Sequence, residues 1–233
     1  MSTLSCFSGT ILLLVAVSAY CQDLRVRQSV TVDGSPVSVA ETSIHGSRER
    51  IETFSPTGST IVIKQCDLKR SVTLDDESQT FTPSTDPKEN SSASAATPSI
   101  IQTITVTDTG QKRPLFDLPA RRLQISVTVD SSKGACTEIS QKYEVDGWFV
   151  DLPQPQAACG PFLPQVKLGP GCNDVIVRHW NGNAKLAFPI KEWLTIHGGD
   201  DTTTSIVVKT INLHHEELDP ALFEIPPAYQ QAK

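Results

Sequence analysis

The chain has 233 residues, of which 20 are basic and 26 acidic, so its net charge is −6 and its pI is about 5.3. This acidic balance weighs against nucleic-acid binding, because nucleic-acid binders need a basic surface to displace the counterions of phosphates. Hydrophobic residues at 38% and charged residues at 20% are typical of a globular chain and not of a disordered one. Beyond the amino terminus, no apolar stretch approaches the roughly 20 residues of a membrane helix, so we expect no membrane insertion.

The amino terminus predicts export. Residues 11–17 form an apolar run of signal-peptide length, and small residues follow, with cleavage expected after Ala19 or after Cys21. The alternative is a buried amino-terminal strand or helix. We expect residues 1–21 to be a signal peptide and residues 22–233 to form a single β-rich domain that is periplasmic or secreted.

Four cysteines remain after the signal peptide: Cys66, Cys136, Cys159 and Cys172. An even number in an exported chain predicts two disulfides, and four cysteines allow three pairings. Cys159 and Cys172 bracket a loop rich in Pro and Gly, which forms neither a helix nor a central strand. The preferred pairing is therefore Cys159–Cys172, which leaves Cys66–Cys136. Zinc is the alternative, but the chain has no Cys-x-x-Cys pair, so we expect no metal and no cofactor.

The first half of the mature chain alternates apolar residues with Thr, Ser and charged residues, which predicts half-buried strands. A strand over 24–32 runs into Asp33-Gly34, a hairpin turn pair. Further strands are predicted over 48–54, 60–64, 68–74 and 79–82. Residues 83–99 lack periodicity and are rich in Ser, Thr, Pro and Ala, so we expect a flexible surface excursion there.

The second half continues the same pattern. Turns are predicted at 108–110, at Asp146-Gly147, and at Asn181-Gly182, which would join 175–180 to 184–190 as a hairpin. A further hairpin is expected at 198–201, and a short helix over 216–222. Ten or more strands in about 210 residues predict a mainly β fold: a curved antiparallel sheet or incomplete barrel with one or two short helices.

Four segments carry a family resemblance: residues 47–52, 60–70, 146–152 and 218–227. With these motifs the chain resembles an uncharacterised bacterial secreted family built on a domain of unknown function. That family is similar in outline to periplasmic lipoprotein carriers, in which an incomplete barrel covers a hydrophobic cavity. The resemblance implies a LolA-like fold and a periplasmic location. It implies no reaction, because the family has no assigned activity.

Motifs of catalysis are missing from the sequence. The chain contains no Gly-x-Ser-x-Gly nucleophile elbow, no phosphate-binding loop and no dinucleotide fingerprint. The run His214-His215-Glu216-Glu217 departs from the His-Glu-x-x-His spacing of zinc proteases, so we interpret it as a solvated segment. His45, His179 and His197 have no partner at ligand spacing and are interpreted as surface or core histidines. We therefore expect no enzyme.

Two functions remain. The first is a non-enzymatic carrier or sensor of a hydrophobic ligand, such as a lipid, held in a cavity under the curved sheet. Aromatic residues would line that cavity: Trp148, Phe149, Phe188 and Trp193. The alternative is a structural or protein-interaction module of the cell envelope, with the Cys159–Cys172 loop as its contact surface.

Overall fold

The computed structural model describes residues 23–84, 99–152, 166, 168–169, 171–198 and 202–232. These residues form one sheet of thirteen strands and two short 3₁₀ helices, and no α-helix lies within them. The mainly β class is confirmed. Most of the predicted excursion and the whole predicted signal peptide lie outside the described residues, although residues 83, 84 and 99 belong to strands.

The elements follow one another along the chain with few long connections. The strands are β1 (Leu24–Val32), β2 (Ser35–His45), β3 (Arg48–Ser55), β4 (Gly58–Gln65), β5 (Arg70–Asp75), β6 (Thr80–Ser84), β7 (Ser99–Leu115), β8 (Leu118–Ser131), β9 (Ser140–Val150), β10 (Val175–Gly182), β11 (Phe188–His197), β12 (Thr203–His215) and β13 (Gln230–Gln231). The 3₁₀ helices are η1 (Cys66–Leu68) and η2 (Pro220–Phe223).

The sheet is open and mixed. Its strand order is β10-β7-β8-β9-β11-β12-β1-β2-β3-β4-β5-β6-β13, and its two end strands do not pair with each other. Neighbours are antiparallel except at the two ends, where β10 pairs parallel with β7 and β13 pairs parallel with β6. The sheet is therefore not closed into a barrel, and the prediction of a purely antiparallel sheet was wrong at both ends.

Several predicted turns are confirmed. Strand β1 has the predicted bounds, and Asp33 and Gly34 turn the chain into β2 with φ of 47° and 80°. These positive φ values are those of a type I′ hairpin turn. Strands β11 and β12 also form the expected hairpin around residues 198–201. The predicted helix over 216–222 is shorter: η2 begins at Pro220, after the Asp219 side chain accepts a hydrogen bond from Ala221 N at 2.9 Å.

Two glycine-containing turns were predicted wrongly. Strand β9 runs straight through Asp146-Gly147, and a Cβ on Gly147 would lie 2.6 Å from the carbonyl oxygen of Lys191. Asn181-Gly182 forms no hairpin but ends β10, where a Cβ on Gly182 would overlap the backbone of Val106. Both glycines therefore permit close approach of neighbouring strands, which is a second use of glycine in sheets.

The predicted turn at 108–110 is likewise wrong. Strand β7 continues to Leu115, and the chain turns at Phe116 and Asp117, both with positive φ. Between Asp108 and Lys112 the pairing with β8 shifts register. The three residues of the predicted turn are therefore an irregularity inside a long hairpin, which increases its local twist.

Buried side chains form three clusters. The largest lies on β7, β8 and β10, where Ile100, Ile104 and Leu123 are 0% exposed. Connecting segments cover it with Ala135, Ile139, Val166, Leu168 and Leu186. The second cluster joins Leu24, Val26 and Ile44 to Phe188 and Ile190. In the third, the C-terminal segment covers Ile61, Ile63, Val72 and Leu74 with Ile225 and Tyr229.

The disulfide pairing differs from the preferred prediction. Cys172 is bonded to Cys136, with a Cα–Cα distance of 5.8 Å, and not to Cys159. Asp174 brings the two segments together, because its carboxylate accepts hydrogen bonds from the backbone N–H groups of Cys136 and Thr137. Cys66 is disulfide-bonded as well, and Cys159 lies outside the described residues.

Candidate functional site

One face of the sheet carries a continuous apolar row. Cross-strand pairing aligns one side chain from each of six consecutive strands, β7, β8, β9, β11, β12 and β1. Because directly paired residues point to the same face of a sheet, these side chains are neighbours. The row consists of Val106, Ile125, Val145, Leu194, Ile206 and Val32.

Exposure divides this face into two parts. The side chains on β7 and β8 are all buried beneath the connecting segments, and we call them the covered half. They are Ile104, Val106, Leu123, Ile125 and Val127. The open half is the continuation on β11, β12 and β1, namely Leu194, Ile206, Val208, Val30 and Val32, which are only half-buried. Within the described part of the chain, no residue of the open half belongs to a buried cluster.

The open half follows from local sequence and from topology together. In Ser205-Ile206-Val207-Val208-Lys209, side-chain alternation sends Ile206 and Val208 to this face and Val207 to the other. Strand β12 then pairs with β1, so residues near the two ends of the chain meet. The pairs Ile206–Val32 and Val208–Val30 place β-branched side chains directly opposite each other, which stabilises the pairing.

A glutamate lies within this apolar face. Glu192 is paired across the strands with Gly147 on one side and with Val208 on the other. It is partly buried, and its carboxyl group makes no hydrogen bond or ion pair within the described residues. Desolvation by burial raises the pKa of Glu192 from 4.5 to about 7. The site therefore combines an apolar surface with one carboxyl group that changes charge near neutral pH.

The predicted ligand-binding aromatic residues lie in different places. Phe149 is 2% exposed in the cluster of the covered half, and Phe188 is 6% exposed in the second cluster. Trp148 packs against the second cluster, and the Arg113 guanidinium lies 4.0 Å from its ring centroid. Trp193 is exposed, with Lys191 Nζ 4.4 Å from its ring centroid. Their role in ligand binding stays a prediction.

A second polar site lies beside the C-terminal segment. His45 Nδ1 is 2.8 Å and 2.9 Å from the two carboxylate oxygens of the buried Asp23, which also accepts a hydrogen bond from Leu218 N at 3.0 Å. The His45 ring stacks on Phe223. An open groove of about 250 Å³, lined by His45, Gly46, Ser47, Arg48 and Pro220, lies next to the pair.

From the sequence, His45 is interpreted as a surface or core histidine, and its contact with Asp23 agrees with that interpretation. The partner itself is not identifiable from ligand spacing. Arg48, which also lines the groove, forms ion pairs with Asp67 and Glu224. Gln65 Nε2 donates to the carbonyl oxygen of Phe223 at 2.8 Å. These polar groups all hold the C-terminal segment on β1 to β4, so their contacts explain a structural role.

Two further clusters of possible metal ligands have structural partners. His214 Nε2 is 3.1 Å from Glu216 Oε2, and His215 Nδ1 is 3.3 Å from the carbonyl oxygen of Asp23. Cys136, Cys172 and Asp174 lie close together, but the two sulfurs are bonded to each other. Hydrogen bonds from the backbone of Thr137 and Cys136 lower the pKa of Asp174, so its oxygens already serve as acceptors.

Comparisons with known proteins add little to this geometry. No protein-family model matches the chain, and no curated protein matches it. Among solved structures, the chain is similar to one titled "Structure of PNGF-II in C2 space group", with a TM-score of 0.38 and 9% sequence identity. The alignment covers 91% of this chain and 31% of that chain. A likeness at this level carries no argument about fold or function.

Proposed function

We propose that this protein is a non-enzymatic carrier or sensor of a hydrophobic ligand, exported to the periplasm or secreted, and that the open half of the sheet face binds the ligand. One observation carries the proposal: the apolar row continues over six strands, and among the described residues the connecting segments pack only on its β7–β8 end. An apolar surface left open beside a packed one is typical of a binding site.

The energetics favour an apolar occupant. Side chains of the open half are half-buried by their neighbours within the sheet, so each retains apolar area in contact with water. Covering such area stabilises a complex by about 25 cal/mol per Å². An alkyl chain lying across β11, β12 and β1 would contact the five side chains of the open half and continue the packing that begins in the covered half.

Two further observations are consistent with this proposal. The Cys136–Cys172 disulfide suits an oxidising compartment. The resemblance to the secreted family with a LolA-like fold points to hydrophobic cargo in the periplasm. In the part of the chain that the structure describes, no helix is long and apolar enough to span a membrane.

The test uses two adjacent residues of β12 that point to opposite faces. Ile206 lies in the open half, whereas Val207 is equally half-buried but faces the other side, opposite Trp193. We expect Ile206→Ser to weaken binding of a fluorescent fatty-acid probe on the order of tenfold, because it places a hydroxyl in the apolar contact. Val207→Ser is the matched control and should bind the probe like the wild type.

Native mass spectrometry of protein purified from its own host supplies the second measurement. We expect a lipid-sized adduct on the wild type and a reduced adduct on Ile206→Ser. An adduct-free mass together with no probe binding by the wild type would refute the carrier proposal. Equal probe binding by both serine variants would move the site away from the open half.

A second candidate function, a protein-interaction module of the cell envelope, is favoured by strand β10, which is the end strand of the sheet formed by the described residues. Strand β10 pairs over eight residues without a register shift, and it contains no Pro and no Lys to discourage further pairing. Trp180 on this strand is 50% exposed. If this candidate is right, a photo-crosslinker at His179 should capture a partner protein. The same crosslinker in a Val177→Pro variant should capture none, and the open half should bind no fatty-acid probe.

A further inference from the structure

Resting on the proposed function, we propose that the open half selects hydrophobic ligands that carry a cationic amine, and that Glu192 binds the ammonium group. The apolar side chains on β12 and β1 would hold the hydrocarbon part. This proposal assigns a ligand class to the site. It also assigns a role to Glu192, for which the contacts within the fold explain no structural role.

The position of Glu192 supports this role. Its cross-strand neighbours are Gly147 and Val208, and Leu194 follows it on the same face of β11. Gly147 has no side chain, and the β11 backbone approaches it closely, so no side chain of β9 packs on Glu192 at this pair. A Cβ at Gly147 would lie 3.0 Å from Cβ of Glu192, which shows that both point to the same face.

The charged residues around Glu192 point to the other face. Lys191 is adjacent in β11 and lies over the Trp193 ring. Asp146 of β9 is bonded to Arg122 at 2.7 Å, and Lys209 of β12 is paired with Lys191 on the opposite side. On the face of Glu192, the titratable residue of β9 is Tyr143, which lies four residue pairs further along and is paired with Ile196.

The carboxyl group therefore lacks a basic partner within the described residues, and an ammonium group on a ligand would supply one. Burial raises the pKa of Glu192 to about 7, so the group is mostly protonated at about pH 5.5 and mostly ionised at about pH 8. The ionised form pairs with an ammonium group, and the protonated form does not. Affinity for an amine should therefore rise as the pH rises through 7, whereas affinity for a neutral ligand of equal chain length should not.

The experiment compares dodecylamine with dodecanol, which share the same alkyl chain, by displacement of a fluorescent probe below their micellar concentrations. For the wild type at about pH 8 we expect dodecylamine to bind on the order of tenfold more tightly than dodecanol. At about pH 5.5 this preference should fall to less than threefold. Glu192→Gln should abolish the preference at both pH values while dodecanol affinity is retained, which shows that the variant is folded.

The matched control is Glu144→Gln, because Glu144 lies on β9 and faces the other side, bonded to Lys142 and His197. It should keep the amine preference. Equal binding of amine and alcohol by the wild type, or a preference that persists in Glu192→Gln, would overturn the inference and leave the carrier proposal standing. Failure of both compounds to bind would count against the proposed function itself.

Discussion

The covered and open halves of the apolar face are built from the same strand pattern and differ in what lies over them. Ile125 in the covered half is 7% exposed, whereas its row partners Leu194 and Ile206 on β11 and β12 are half-buried. The difference comes from described residues of the connecting segments that pack on the covered half, namely Ala135, Ile139, Val166, Leu168, Ala184, Leu186 and Ala187. Packing on the covered half therefore serves stability, and the open half is the part of the face that we propose for ligand binding.

The largest expected effect is the loss in free energy of unfolding when a leucine is truncated to alanine, and it should differ between the two halves. Leu123→Ala in the covered half should lower the free energy of unfolding by about 3–5 kcal/mol, because it leaves a cavity in a fully packed cluster. Leu194→Ala in the open half should cost about 1–2 kcal/mol, because that side chain is only partly buried and belongs to none of the three clusters of the described residues. Urea denaturation of both variants measures the difference, and equal costs would show that the open half is packed as tightly as the covered half.

The next effect concerns the cover itself. Replacing both Cys136 and Cys172 by Ser should lower the free energy of unfolding by about 3–4 kcal/mol, since the bond closes a chain segment of 36 residues. The loss should appear as faster hydrogen exchange in β7 and β8. Probe binding to the folded variant should be unchanged, because the segments that the disulfide joins pack on the covered half through Ala135 and Leu168. A variant that stays folded but binds the probe more weakly would link the cover to the ligand site.

A smaller effect comes from Glu192 in the open half. Its folded-state pKa of about 7 exceeds the ordinary value of 4.5, so between these values the folded chain holds more protons than the unfolded chain. Its contribution to stability is therefore complete below about pH 4.5 and is lost as pH rises through 7, by about 1–3 kcal/mol. Glu192→Gln should remove this part of the decline, as measured by urea denaturation at about pH 5 and pH 8. If the free energy of unfolding of the variant declines with pH as steeply as that of the wild type, the decline comes from a group other than Glu192.

Much of the fold is predictable from local sequence. Alternation gives the bounds of β1, and Asp33-Gly34 gives the turn to β2, because both depend on residues close together in the chain. Gly147 and Gly182 were misread as turn residues, because a glycine that opens a turn and a glycine that lets two strands approach look alike in sequence. Only the neighbouring strand, which is distant in sequence, distinguishes the two uses.

The candidate site was less predictable for the same reason. Glu192 becomes notable only when Gly147 is known to be its neighbour. The β11–β12 hairpin was predicted from local sequence, but the pairing of β9 with β11 is not written in any local pattern. The Asp23–His45 pair depends on a register shift between Val30 and Thr31. A one-residue shift of this kind decides which side chains meet, and alternation alone does not locate it.

The most direct test of the central claim is hydrogen exchange of the wild-type protein with and without saturating dodecylamine at about pH 8. If the open half is the binding site, amide protection should increase in β11, β12 and β1 and remain unchanged in β10 and in the hairpin of β7 and β8. Protection that increases only at β10, or that increases nowhere although the amine is bound, would contradict the account.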